Sequence, residues 1–235
     1  MQIPLFQPLT EWVMPDQYPD LSGYREIAID LETKDPNLMT LGSGWPRKDG
    51  HIIGVAIAVE GNQWYFPIRH EIGPNLDPKL TLKWVQDVVS VKRDYIFHNA
   101  SYDVGWLLTE GVLLNGRIID TMVVAPLLDE NRFSYALNSL GKDYLQDRKS
   151  EVGLREAADS FGVNAKSEMY KLPAQHVGEY AEKDASLTLR LWQHFKSLII
   201  KEDIQDIFEL ELKVLKTIIP MRQKGVRVDL DKAEL

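Results

Sequence analysis

The chain contains no cysteine, which excludes a disulfide framework, a thiolate-held zinc or iron-sulfur centre, and catalysis by a thiol nucleophile. Any metal must therefore sit on oxygen or imidazole. No apolar run reaches the ~18 residues that a bilayer-spanning helix needs, and the N-terminal stretch with Pro4, Pro8, Glu11, Pro15 and Asp16 lacks the basic-then-apolar pattern of an export signal. These absences point to a cytoplasmic protein with no membrane partner. Basic residues are also scarce: 27 Lys and Arg stand against 35 Asp and Glu, for a formal charge of -8. Sequence-independent duplex binding draws its affinity from Lys and Arg displacing condensed counterions, so this balance argues against it. A polyanionic substrate would need bound cations to offset the repulsion.

What is present suits one sizeable domain, or one domain and a fragment of another: 235 residues, 44% of them hydrophobic. Residues 1–24, rich in proline and turn formers, read as a lead-in along the domain surface. A strand follows from about Arg25 to Leu31, with β-branched Ile27 and Ile29 leading to Asp30. Residues 33–50 carry loop chemistry in Pro36, Gly42, Gly44, Pro46 and Gly50. The runs from Ile52 to Val59 and from Gln63 to Ile68, separated by Glu60, Gly61 and Asn62, predict a hairpin. Helical spacing from Leu80 to Val91, a short strand at Tyr95 to Phe97, and a helix from Ser101 to Glu110 closed by Gly111 continue an alternating α/β pattern. After a further strand ending at Asp120, the spacing predicts helices over Thr121 to Leu128, Ser134 to Leu145 and Leu154 to Phe161. A long helix from about Pro173 to Ile200 follows, with the proline in its first turn, and a last one from Ile204 to Arg222 breaks near Gly225.

Three short acidic motifs stand out. Asp30 and Glu32 are two apart at the end of a strand, which puts both carboxylates on one face of the sheet. Alone, the pair also reads as two solvated turn residues. In His98-Asn99-Ala100-Ser101-Tyr102-Asp103, Asn99 suits a helix cap and Asp103 the positive end of the helix dipole, a full structural explanation. Their i,i+4 spacing nevertheless puts both on one face at the mouth of the sheet. In Tyr180-Ala181-Glu182-Lys183-Asp184, Tyr180 and Asp184 are again i,i+4, about 6 Å apart along a helix that rises ~1.5 Å per residue. Each motif alone fits an ordinary amphipathic or capping role. The three in one order make a joint signal.

Together, IAIDLET, HNASYD and YAEKD resemble the three exonuclease motifs of the DEDD superfamily, and most closely those of the proofreading domain of family A DNA polymerases. The likeness covers roughly residues 25–200 and extends to IIDTM at Ile118 to Met122 and SYALNSLGKDYL at Ser134 to Leu145. It implies an α/β fold of ribonuclease H-like type, a mixed five-stranded sheet flanked by helices, with a helical C-terminal part. Residues 201–235, with Glu209, Glu211, Val214, Leu215, Met221 and Gly225-Val226-Arg227-Val228-Asp229, are similar to the segment leading into a family A polymerase domain. That domain is expected to be fused or bound in trans, in a phage-type enzyme working in its host's cytoplasm.

By the same resemblance the reaction is 3′-to-5′ hydrolysis of phosphodiester bonds at single-stranded DNA 3′ ends, as proofreading. Two divalent cations, Mg²⁺ or Mn²⁺, would be held by Asp30, Glu32, Asp103 and Asp184, with Asp30 bridging and Asp103 acting partly through water. Tyr180 would orient the attacking water, because a phenol with a pKa near ~10 is a poor base at neutral pH. One branch of the superfamily has His five residues before the last Asp; Glu179 stands there, so the chain falls in the tyrosine branch, and His176 and His194 are at the wrong offsets. Leu31, Thr33, His98, Asn99 and Tyr102 match positions near the 3′-terminal nucleotides, although His98 stands where bacterial DNA polymerase I has Gln. Arg132 and Lys142 are further phosphate candidates, or plain solvated charges. The alternatives are a ribonuclease D-like RNA exonuclease and a catalytically silent domain that binds DNA or braces a polymerase.

Overall fold

The computed structural model describes residues 9–147 and 149–234. The first eight residues of the expected lead-in, Pro4 and Pro8 among them, and Leu235 lie outside the described residues.

Five strands form one mixed sheet: β1 (Glu26–Lys34), β2 (His51–Val59), β3 (Asn62–Pro67), β4 (Asp94–Phe97) and β5 (Arg117–Asp120), in the order β3-β2-β1-β4-β5. The β1–β2 and β2–β3 pairs are antiparallel, while β4 runs parallel to both β1 and β5. A one-turn helix α1 (Leu38–Leu41) follows β1. The crossovers to the parallel strands carry α2 (Pro78–Val89) and α3 (Ala100–Thr109). The remainder is helical: α4 (Thr121–Leu128), α5 (Leu137–Leu145), α6 (Val152–Phe161), α7 (Gly178–Lys201), α8 (Gln205–Lys224) and the short α9 (Leu230–Ala233). No helix among the described residues is long and apolar enough to cross a membrane.

Alternation along β1 divides the core in two. Ile27, Ile29 and Leu31 pack with Val85, Phe97 and Trp106 on the face covered by α2 and α3. Ala28 faces the other way and joins Ala56, Ala58, Ala181 and Ala185 in the core beneath α7. Small residues on both sides of that contact let α7 lie close against the sheet, and this brings its polar face to the end of β1. Glu182 fixes the arrangement: one of its oxygens accepts from Tyr65 N on β3 at 3.0 Å and from Trp12 Nε1 of the lead-in at 2.7 Å. Where this N-terminal stretch is described, Tyr18 stacks on Trp84 at 5.0 Å.

Several boundaries differ from expectation for identifiable reasons. β1 continues to Lys34 because β2 pairs with it to that point, so Glu32 lies inside the strand and a bulge falls between Glu32 and Thr33. The expected 33–50 loop is correspondingly shorter and holds α1 and a 3₁₀ turn at Trp45–Arg47. α5 begins at Leu137 rather than Ser134. Pro173 is not in the first turn of α7. It precedes a separate 3₁₀ turn, Ala174–His176, closed by i→i+3 bonds such as Val177 N to Ala174 O at 3.0 Å. The helix proper starts at Gly178, against which the Trp12 indole lies so closely that a Cβ would sit 2.1 Å from it.

α8 is not a projecting extension. Phe208 and Leu212 enter one core, Ile219 the other, and Arg117 on β5 pairs with Glu209. Its opposite side leaves Ile207, Leu210, Val214, Ile218 and Met221 exposed.

Candidate active site

Asp30 and Glu32 keep the parity of Ala28 and so face α7. Their β2 partners are Ala56 and Gly54. Gly54 has to be side-chain-free, since a Cβ there would lie 2.1 Å from the Tyr65 hydroxyl. Tyr65 is fully buried, and its hydroxyl is 2.7 Å from His70 Nε2, whose Nδ1 is 2.7 Å from Leu172 O. Burial pushes His70 down to about 4, so the ring is neutral. Nδ1 then donates to the carbonyl, and Tyr65 donates to Nε2. A neutral, fully hydrogen-bonded floor thus supports the carboxylates without adding charge.

α7 supplies Tyr180 and Asp184, one turn apart. One oxygen each from Asp30, Glu32 and Asp184 lie within 4.8 Å of one another. Three anions at that separation repel, and burial adds to the effect. Asp30 is pushed up to about 7, first by burial and then by Asp184; Glu32 is held well above its usual range by burial and by Asp30; Asp184 is raised by burial despite its hydrogen bonds from Lys149 and Tyr180. Asp184 Oδ1 is buried without a hydrogen-bond partner among the described residues. A buried carboxylate oxygen left unpaired, facing two further carboxylates, is the donor set that a hard divalent cation takes up. The residues present fit such an ion.

Asp103 lies at the start of α3, 3% exposed, with its Oδ1 accepting the Leu31 amide at 3.0 Å. Burial and the nearby Asp30 hold it well above the ordinary carboxylate range. It borders the cluster without joining the group of three. The Leu31 side chain is in the core, on the opposite face of β1 from Asp30 and Glu32. Its side chain is therefore buried, and its backbone amide positions Asp103.

The other expected contact residues line the same end of the sheet. Thr33 Oγ1 and the Tyr102 hydroxyl are 2.7 Å apart, and Tyr102 donates to Asp35 at 3.2 Å. Asn99 is exposed and adopts φ 74°, with no side-chain cap to α3. The capping role expected of Asn99 falls to Asp120 instead. Its carboxylate accepts from Asn99 N at 2.9 Å and Ala100 N at 2.8 Å, and also caps its own helix through Met122 N at 2.9 Å. His98 Nδ1 lies 2.9 Å from Thr121 Oγ1, and burial, with Lys149 nearby, pushes the ring down to about 4. It is uncharged at neutral pH and offers hydrogen bonding, not a cation, to a nucleic acid strand. Arg132 is held by Asp143 and lies over the Tyr144 ring at 5.1 Å, while Lys142 is exposed. His176 sits in the 3₁₀ turn against Phe161, and His194 lies beside Tyr144.

One residue in the cluster escaped the sequence reading. Lys149, from the connection between α5 and α6, places Nζ 2.6 Å from the Tyr180 hydroxyl and 2.5 Å from Asp184 Oδ2. It lies in a polar stretch with no periodicity, and nothing local marks it.

A ribonuclease H-like sheet with clustered carboxylates at the end of its central strand defines the class as nuclease-like. Comparison with known proteins resolves it further. A family described as 3′-5′ exonuclease matches residues 13–200. The chain belongs to this exonuclease family, in the form carried by family A DNA polymerases. It is 34% identical to a DNA-directed DNA polymerase of Pseudomonas phage M6, covering 100% of this chain and 37% of that one. With DNA polymerase I of Pseudomonas aeruginosa it shares 25% identity over 86% of this chain and 22% of the polymerase. The chain thus spans about a third or less of the length of these relatives. In fold it is similar to Brucella melitensis NrnC, at a TM-score of 0.62 and 19% identity, covering 91% of this chain and 93% of NrnC.

Proposed function

We propose that the domain hydrolyses phosphodiester bonds at single-stranded DNA 3′ ends using two divalent cations, Mg²⁺ or Mn²⁺, and that it proofreads for a polymerase domain fused to it or bound in trans. The observation that carries the reading is the convergence of Asp30, Glu32 and Asp184 around an unpaired buried carboxylate oxygen. NrnC has been seen with bound Mg²⁺, which supports a hard cation for this fold. DNA is favoured over RNA by the polymerase relatives, and residues 201–235 are read as the start of the polymerase part.

Asp30, Glu32 and Asp184 would hold the ions, with Asp103 contributing through water. Bound there, the cations would lower the pKa of water and offset charge on the phosphate and the leaving 3′ oxygen. Tyr180 orients. Burial and the surrounding carboxylates push its hydroxyl far above the ordinary phenol range, so it stays protonated and acts through hydrogen bonds. Asn99 and Tyr102 would face the terminal nucleotides, where stacking tolerates any base. Thr33 and His98 would complete the strand contact as neutral hydrogen-bonding groups.

The test is a labelled DNA oligomer and its RNA counterpart, each incubated with the protein and Mg²⁺ or Mn²⁺. DNA is expected to shorten from its 3′ end, and the double variant Asp30→Ala, Glu32→Ala to lose several orders of magnitude in rate. Equal rates for wild type and variant would leave only a silent scaffold. Faster shortening of RNA would move the substrate to the class suggested by the NrnC complex with pGG.

A further inference from the structure

Lys149 occupies the carboxylate cluster with no part in the reading above. Its backbone is anchored, since its amide donates to Asn138 Oδ1 at 3.0 Å. Its side chain is only 12% exposed, and the ammonium lies 4.2 Å from the centre of the Tyr180 ring while donating to the Tyr180 hydroxyl and Asp184 Oδ2. Burying an ammonium is costly unless anions surround it. Here Asp184 touches it, and both Asp30 and Glu32 feel its field. The oxygen it takes on Asp184 belongs to the same carboxylate whose other oxygen is buried and unpaired. A lysine is a compact charge on a flexible four-carbon stem, so rotation of the side chain alone, with the backbone held by Asn138, can vacate this position.

We propose that Lys149 is a built-in competitor for the divalent cation: its ammonium holds Asp184 and Tyr180 in the cation-free protein and must swing off Asp184 for the ion to enter. The inference rests on the cation-binding reading of the cluster. It makes Lys149 a positioning residue that keeps the helical half of the site ordered before the ion arrives. It also sets the cation concentration at which the site fills, because ion binding has to displace one buried ion pair. A lysine that merely stabilised the fold would leave cation affinity where it was.

Mn²⁺ binding to the full chain, without nucleic acid, is read from the paramagnetic resonance signal of the free ion near neutral pH. Lys149→Met is expected to bind Mn²⁺ about tenfold more tightly than wild type, and Lys149→Arg, which keeps the charge, no more tightly. Lys149→Gln, neutral but still hydrogen-bonding, gives the same comparison if the methionine variant does not fold. Unchanged or weaker binding in the neutral variants overturns the proposal. Loss of binding in the Asp30→Ala, Glu32→Ala variant assigns the ion to this cluster. Because no nucleic acid is present, a chain that shortens no oligonucleotide can still show the lysine effect. An active nuclease whose neutral variants keep wild-type affinity sinks the lysine proposal alone.

Discussion

Tyr180 is tied at its hydroxyl to Lys149 and to Asp184. Removing that one oxygen leaves the ring and the three-carboxylate group in place but, on the proposed mechanism, would let the attacking water misalign. Tyr180→Phe is therefore expected to lower kcat on a single-stranded oligonucleotide by roughly 10- to 100-fold with little change in KM, the scale on which small misplacements act. A rise in KM with kcat intact would instead make the tyrosine a strand-binding group. The pairings Asp30 with Glu32 and Tyr180 with Asp184 were legible because these residues sit at strand and helix periods. Lys149 was not legible, because what places it is tertiary, an aperiodic connection pinned by Asn138. The packing of the Leu31 side chain into the core followed from the same strand period, which sets it on the face opposite Asp30 and Glu32.

Among the elements, α3 and α4 share one cap. Asp120 satisfies two amides at the start of α3 and one at the start of α4, all around a carboxylate that is 3% exposed. Asp120→Ala leaves three amide donors, that of Ala100 buried, without their acceptor and should cost about 2 to 3 kcal/mol, visible as a lower midpoint in urea unfolding. Asp120→Asn, keeping one acceptor oxygen, should fall between. A loss confined to a few tenths of a kcal/mol would mean that water replaces the carboxylate. Element type and order were readable from hydrophobic period, since strands such as Tyr95 to Phe97 and helices such as Thr121 to Leu128 declare themselves locally. The ends were less so. β1 outran its apolar run because β2 kept pairing with it, and the α7 start moved to Gly178 because i→i+3 bonds after Pro173 made a separate turn.

For the whole molecule, the cluster stores a pH dependence of stability. Asp30 titrates near about 7 in the fold, against about 4 when unfolded, and burial with neighbouring carboxylates holds Glu32 and Asp103 well above the ordinary carboxylate range as well. Between those values the folded protein binds more protons, so its stability falls as pH rises. His70 and His98, held down to about 4, act oppositely, but only up to their unfolded value of about 6.5. Above that the carboxylates act alone. Thermal unfolding in a chelator is expected at progressively lower temperature from about pH 6.5 to 8, through the Asp30 titration, and added Mg²⁺ or Mn²⁺ should flatten the trend. A flat profile in the chelator would show that the carboxylates are not strained against one another. The division of the site between β1 and α7 also has a consequence in time. A chain emerging from the ribosome presents Asp30 and Glu32 early but lacks Asp184 until α7 has been made and docked. The two halves meet only through contacts far apart in sequence, which form late in folding. On the proposed reading, a half-made chain would hold no complete cation site, and nascent copies would stay harmless to nearby nucleic acid until Asp184 is in place.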